Sequence, residues 1–245
     1  MTALGTAKES ASPQAAASQR DLRQLRIACN GYVDAGSGSI AAAGHRLLDS
    51  LLARGHRIDF FSKPSFVYPS DLLERHDTLR YRRAEDSVAE RIKRVATRVV
   101  GQQFATPVSL LQHRVFARVV MRKMRADHAA DDYDAVLFLG TPAFGRVGNV
   151  RTVSWVQGGA GTDVRSIRDR HDLLRRSEKS WRLMLLQLYG KYRMAVGSPD
   201  YSACDALVCG SSFSRQRLIA DTGLPSESIV AQPYPLDFSA FKVRQ

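Results

Sequence analysis

Short apolar runs alternate along this chain with longer segments of helical periodicity, and that alternation restricts its fold more than any other feature. Leu25 to Cys29 has strand length, Ile40 to Arg54 sets Leu47, Leu48, Leu51 and Leu52 on one helical face, Gly55 stops that helix, and Arg57 to Ser62 is a second strand. Ala135 to Leu139 and Val153 to Val156 are two more strands. Asp205 to Cys209 feeds a helix capped by Ser211 and ending near Thr222, where Gly223, Leu224 and Pro225 break it. Ser228 to Ala231 is a last brief strand, and Pro233 to Phe241 a proline-stiffened exit. Arg170 to Met194 reads as a long basic helical region. Strands and helices in this order predict a parallel sheet covered on both faces, with ligands gathering beyond the carboxyl ends of the strands.

A chain of 245 residues with 44% hydrophobic and 24% charged residues buries a sizeable core, so the default is a folded domain, not disorder. The reading divides it into a loose tail over 1–24, one domain over 25–236, and the start of a linker over 237–245. The tail is rich in Ala and Ser and lacks the apolar core of a signal peptide. No window has the apolar length of a membrane span. Cys29, Cys204 and Cys209 stand among apolar neighbours without paired spacing, which predicts buried thiols and a reducing cytoplasm.

The net charge of +12 is unevenly spread. Between Arg80 and Arg125 there are twelve basic residues against three acidic ones. Val88, Ile92, Val95 and Val99, then Leu111, Val115 and Val119, recur at helical spacing, so two amphipathic helices separated by a break from Gly101 to Pro107 are expected to carry these cations outward. Two readings stand: a solvated basic face, or a face that meets anionic lipid or an anionic substrate through Arg91, Arg94, Arg118 and Arg122, the former keeping the protein soluble and the latter placing it at the inner membrane surface. Nucleic acid ranks below both, because the stretch has few aromatic residues and no binding motif.

The loop after the first strand, Asn30 to Ser39, is glycine-rich, and Gly36, Ser37 and Gly38 would let backbone amides and a helix N-terminus approach a phosphate. The alternative is a flexible turn without a ligand. A dinucleotide fingerprint is disfavoured: Asn30 to Ala35 intervene between strand and glycines, and Asp59, the nominal ribose partner, lies inside the second strand. No two histidines stand at metal-ligand spacing, and no metal or other cofactor is expected.

The glycine loop, the Leu51 to Phe61 helix-to-strand passage, Trp155-Val156-Gln157-Gly158-Gly159, Asp205 to Arg215 and the Pro233 to Phe241 exit together resemble, in order and spacing, the amino-terminal half of family 4 retaining glycosyltransferases. The resemblance covers about Leu25 to Phe241. It implies a Rossmann-like α/β domain, half of a GT-B fold, that binds a glycan, lipid or small-molecule acceptor. It also implies a nucleotide-sugar donor held as a substrate by a second domain that these residues do not contain, and hence inefficient transfer by this half alone. In that family Gly36, Ser37 and Gly38 would face the donor diphosphate.

Acceptor-side candidates follow from the same resemblance. Gln157 stands where many members carry a histidine; it hydrogen-bonds a sugar hydroxyl or ties down a loop, and it cannot accept a proton at neutral pH. Gly158 and Gly159 continue that strand end. Asp163 is the nearest carboxylate to an acceptor hydroxyl, or else a surface ion-pair partner of Arg165. Trp155 stacks on a sugar ring or belongs to the core. No catalytic residue is assigned. The rival from another class is a noncatalytic sugar-binding or anionic-membrane interaction domain, with a nicotinamide-dependent oxidoreductase a distant third.

Overall fold

The computed structural model describes residues 23–36, 39–62, 69–84, 91, 95, 106–156, 176, 184 and 201–233. Seven strands, β1 (Arg26–Gly31), β2 (Arg57–Ser62), β3 (Leu79–Arg83), β4 (Ala135–Leu139), β5 (Arg151–Trp155), β6 (Ala206–Cys209) and β7 (Ile229–Ala231), form one sheet in the order β3-β2-β1-β4-β5-β6-β7. Every neighbouring pair is parallel. The chain therefore folds as the Rossmann-like α/β domain that the alternation predicts.

Parallel pairing buries both faces, which is why β2 reads as a nearly continuous apolar run. Among the described residues four helices supply the covers: α1 (Ser39–Ala53), α2 (Ser70–Arg75), α3 (Thr106–Asp131) and α4 (Ser212–Thr222). Leu48 and Leu52 of α1 and Leu72 of α2 pack on Ile27, Cys29, Ile58, Phe60 and Leu139. On the opposite face Phe116, Val120 and Met124 of α3 meet Ala28, Phe61, Val136 and Phe138, and Leu218 of α4 meets Leu207, Cys209 and Ile229. Ser211 caps α4 as expected, its side chain accepting from Ser214 N, and Gly223 closes the helix by donating to Ile219 O. All three cysteines are free and buried, and burial pushes the Cys29 thiol far up.

Several expectations need correction. Arg80, Arg82 and Arg83 do not ride on a helix; they belong to β3, an edge strand, and the charged helical region begins after them. α3 starts at Thr106, inside the predicted break, with Pro107 in the first turn, where its missing N–H is not needed. β1 runs two residues further than its apolar run, because Asn30 and Gly31 pair with Phe138 and Leu139. The tail up to residue 22, the exit from Tyr234 on with the linker at 237–245, and most of Arg170 to Met194 lie outside the described residues; Arg176 and Met184 within the last are helical.

Candidate functional site

The strand order reverses between β1 and β4: β2 and β3 extend the sheet one way from β1, while β5, β6 and β7 extend it the other way from β4. The connections out of these two central strands diverge, the arrangement at which open parallel sheets place a ligand crevice beyond the strand carboxyl ends. The β1–α1 loop and the turn after β4 stand at that end. Tyr32 N donates to Leu139 O at 3.0 Å and Gly140 N to Trp155 O at 2.7 Å, so loop and turn continue the hydrogen-bonding of the sheet past its edge.

Two glycines permit that closeness. A Cβ on Gly31, whose φ is +149°, would stand 2.1 Å from Leu139 O, and one on Gly44 would stand 2.6 Å from Tyr32 O. The first leaves no room for a side chain between the central strands, and the second lets α1 press against the loop. Val33 anchors the loop in the core, and Asp34 N donates to Ala41 O in the first turns of α1. Gly36 sits at the exposed tip, where among the described residues a Cβ would meet only Asp34 Oδ1, at 3.7 Å. Its own amide is already taken: Gly36 N donates to Asp34 Oδ1 at 2.9 Å. Ser37 and Gly38, the other loop residues expected to face phosphate, lie outside the described residues.

Gln157, Gly158, Gly159 and Asp163 also lie outside them, one step beyond the end of β5, and so does Arg94. Trp155 is 7% exposed and packs in the cluster that holds Ile27 and Leu139, as the core alternative expects. Arg91 is helical and exposed. Arg118 and Arg122 are exposed on α3, where with Arg114, Ala117, Met121, Arg125 and Phe144 they line a groove of about 430 Å³.

Four crevice residues were not anticipated from sequence. Tyr32 is 39% exposed, with its ring close enough to Gly140 that a Cβ there would lie 3.2 Å from Tyr32 Cδ2. Asn30, at the end of β1, donates from Nδ2 to Phe61 O at 2.6 Å and so ties β1 to β2. Gly140 makes the turn, with φ at +72°. Thr141 is buried, and its Oγ1 has no hydrogen-bond partner among the described residues. An aromatic followed by a glycine loop, and a glycine-threonine pair after a strand, were the available signals.

Ionisable groups elsewhere mostly brace the fold. Asp59 is buried inside β2, accepting from Tyr133 Oη at 2.9 Å and Arg26 Nη2 at 3.2 Å, so it is no ribose ligand. Hydrogen bonding to Asp59 and, above all, burial push the Tyr133 hydroxyl far up. His45 Nε2 lies 2.7 Å from Asp71 Oδ2 and His76 Nε2 2.8 Å from Asp49 Oδ1, with Arg75 bridging both carboxylates from α2. Among the described residues no group of three or more His, Cys, Asp or Glu could hold a metal ion.

Four carboxyls titrate below their ordinary range. Asp49 is lowered by its bond to His76, Asp131 by Arg26, and Asp205 by the Thr152 amide with Arg146; at Asp71 burial opposes the shift, and the bonds from His45 and Arg75 outweigh it. A carboxyl whose folded pKa is depressed contributes stability that is complete above the unfolded value, about 3.9 for Asp, and vanishes as pH falls through the folded value. The expected result is a urea midpoint that holds from pH 6 to about pH 4 and falls steeply below it. An unchanged midpoint at pH 3 would contradict these pairings.

Neither the family models nor the curated protein sequences compared with this chain gave a match. Solved structures of similar shape include the glycotransferase of kitacinnamycin, at 13% identity over 88% of this chain and 52% of that one, with a TM-score of 0.42. Arabidopsis thaliana UGT89C1 complexed with UDP-L-rhamnose matches at 11% identity over 88% of this chain and 50% of that one, with a TM-score of 0.49. Acinetobacter baumannii MurG matches at 11% identity over 88% and 47%, with a TM-score of 0.41. This chain spans about half the length of each of these similar structures.

Proposed function

We propose that this domain is the acceptor-side half of a retaining sugar transferase of the GT-B type, which moves a sugar from a nucleotide-sugar donor to a glycan, lipid or small-molecule hydroxyl. The observation that carries the reading is the reversal of strand order between β1 and β4, with a glycine loop at a helix N-terminus, an exposed Tyr32, and a buried Thr141 whose Oγ1 has no hydrogen-bond partner among the described residues. These are groups suited to a sugar: an aromatic ring for stacking on its apolar face and a buried hydroxyl for hydrogen bonding. In the reaction the bond between the anomeric carbon and the diphosphate oxygen breaks, and the acceptor oxygen bonds to that carbon and gives up its proton. Gln157 positions a hydroxyl without taking the proton, and Asp163 is the candidate acceptor. The Gly36 amide is held by Asp34, so any offset of charge on the departing diphosphate falls to the Ser37 and Gly38 amides and the N-terminus of α1.

Transfer needs donor and acceptor held at reacting distance with water excluded, and an acceptor half supplies one wall. The purified chain should bind nucleotide sugars weakly and turn over inefficiently, and a cognate donor domain added in trans should recover transfer. Gly36→Val, which adds a side chain in open space, should cut the recovered rate by about tenfold or more without changing the thermal midpoint, because the branched group stands where the diphosphate approaches. Sustained transfer by the 245-residue chain alone, assayed across nucleotide sugars and acceptors, would refute the half-enzyme reading.

A further inference from the structure

We propose that the groove between α3 and the β4–β5 connection is a binding site for a ligand with two or more phosphoryl groups and an apolar portion that lies against Phe144. Arg114, Arg118, Arg122 and Arg125 follow one another at helical spacing and line the groove, whose remaining walls are Ala117, Met121 and Phe144. At 1.5 Å per residue the stripe is roughly 16 Å long, more than one phosphate can engage. The volume, about 430 Å³, lies within the range of small-molecule sites.

The four arginines stand together on one face, whereas several other exposed arginines, such as Arg54 and Arg217, are scattered. Elsewhere Arg26 pairs with Asp59 and Asp131, Arg75 with Asp49 and Asp71, Arg82 with Asp127, and Arg146 with Asp205. Among the described residues no carboxylate pairs with any of the four in the groove. Like charges at these spacings destabilise a helix by a few tenths of a kcal/mol per pair, about 0.2–0.5, so the fold gains nothing from stacking them. Guanidinium groups match phosphoryl oxygens two at a time, which a scattered solubilising charge does not require. Arg125 is already oriented: its Nε donates to Arg146 O at 3.1 Å, and Gly145 brings the β4–β5 backbone close against Arg125 and Met121. The apolar wall is fixed too, since Phe144 packs edge-on against Phe138 and Phe116 with ring centroids 5.3 and 6.3 Å away. None of the crevice residues takes part, so the proposal stands or falls apart from sugar transfer.

The test compares the whole chain with Arg118→Gln/Arg122→Gln and with a charge-matched control, Arg54→Gln/Arg217→Gln, both of whose positions are exposed. Calorimetry at low salt with pyrophosphate and with geranyl diphosphate reads the soluble ligand, and sedimentation with phosphatidylglycerol vesicles reads the lipid headgroup. We expect the groove variant to lose about tenfold or more in affinity while the control stays within about twofold, because only the groove arginines converge on the anion. That pattern with the diphosphates assigns a soluble ligand, whereas the same pattern with vesicles alone, whose lipids carry one phosphate each, would overturn the two-phosphoryl ligand in favour of a lipid surface. Equal losses in both variants, or no binding of any probe, would overturn the site. Geranyl diphosphate binding no tighter than pyrophosphate would overturn the role of Phe144.

Discussion

Gly31→Ala should unfold this domain or bring it to the edge of unfolding. The added carbon would stand 2.1 Å from Leu139 O and 2.7 Å from Leu139 Cβ, and the φ of +149° is one that side chains rarely adopt. Relief would require β1 and β4 to separate, yet both are central: β1 is also hydrogen-bonded to β2, and β4 to β5. Strained backbone and overpacking each cost about 1–3 kcal/mol, so a loss of roughly 3–5 kcal/mol is expected, a large part of the stability of an ordinary domain. Urea unfolding followed by circular dichroism measures it. Gly36→Ala, at the open tip of the same loop, should fall within about 0.5 kcal/mol of wild type. A Gly31→Ala protein with a normal midpoint would mean that the two central strands do not approach as described.

Asp59→Ala should be the next most damaging change, with a loss of about 3 kcal/mol. Its carboxylate is 4% exposed and gathers Tyr133 Oη, Arg26 and, at 3.6 Å, Arg82. Removal leaves the buried Tyr133 hydroxyl without its acceptor and two guanidinium groups facing an emptied site, although Arg26 keeps Asp131 and Arg82 keeps Asp127. Asp59→Asn preserves the shape and an acceptor for Tyr133 and should lose about half as much. Adding Tyr133→Phe to Asp59→Ala should cost little more, because the hydroxyl it removes is already unpaired. Fully additive losses in that double variant would argue against the contact.

The two faces of the sheet explain which elements were legible. Strands buried on both sides stand out against helices with a single apolar stripe: Ala135 to Leu139 is apolar throughout, and Ile58 to Phe61 is apolar except for Asp59. β3 has only one strand neighbour and carries Arg80, Arg82 and Arg83, so its composition resembles the helical charge that follows it. Glycine content marked the loop after β1. What composition does not carry is pairing: that β1 meets β4, that Asp34 occupies the Gly36 amide, and that Tyr32 and Thr141 flank the same opening are consequences of register between distant segments. Arg118 and Arg122 were legible as cations on a helix face; that no carboxylate among the described residues pairs with them was not, since partners come from elsewhere in the chain.

The pairing of β1 with β4 also governs the order in which the molecule can be made. Arg26 N, at the amino end of β1, donates to the Asp134 carboxylate 108 residues later. During synthesis the first strand can join β2 and β3 early, but its other edge stays unpaired until Ala135 to Leu139 have left the ribosome. Non-local parallel pairing of this kind closes slowly and leaves a bare edge exposed to wrong partners meanwhile. The basic segment between Arg80 and Arg125 is translated in that interval. Its excess of positive charge is thus part of the chain that is made while the edge of β1 is bare, and net charge of one sign favours solubility.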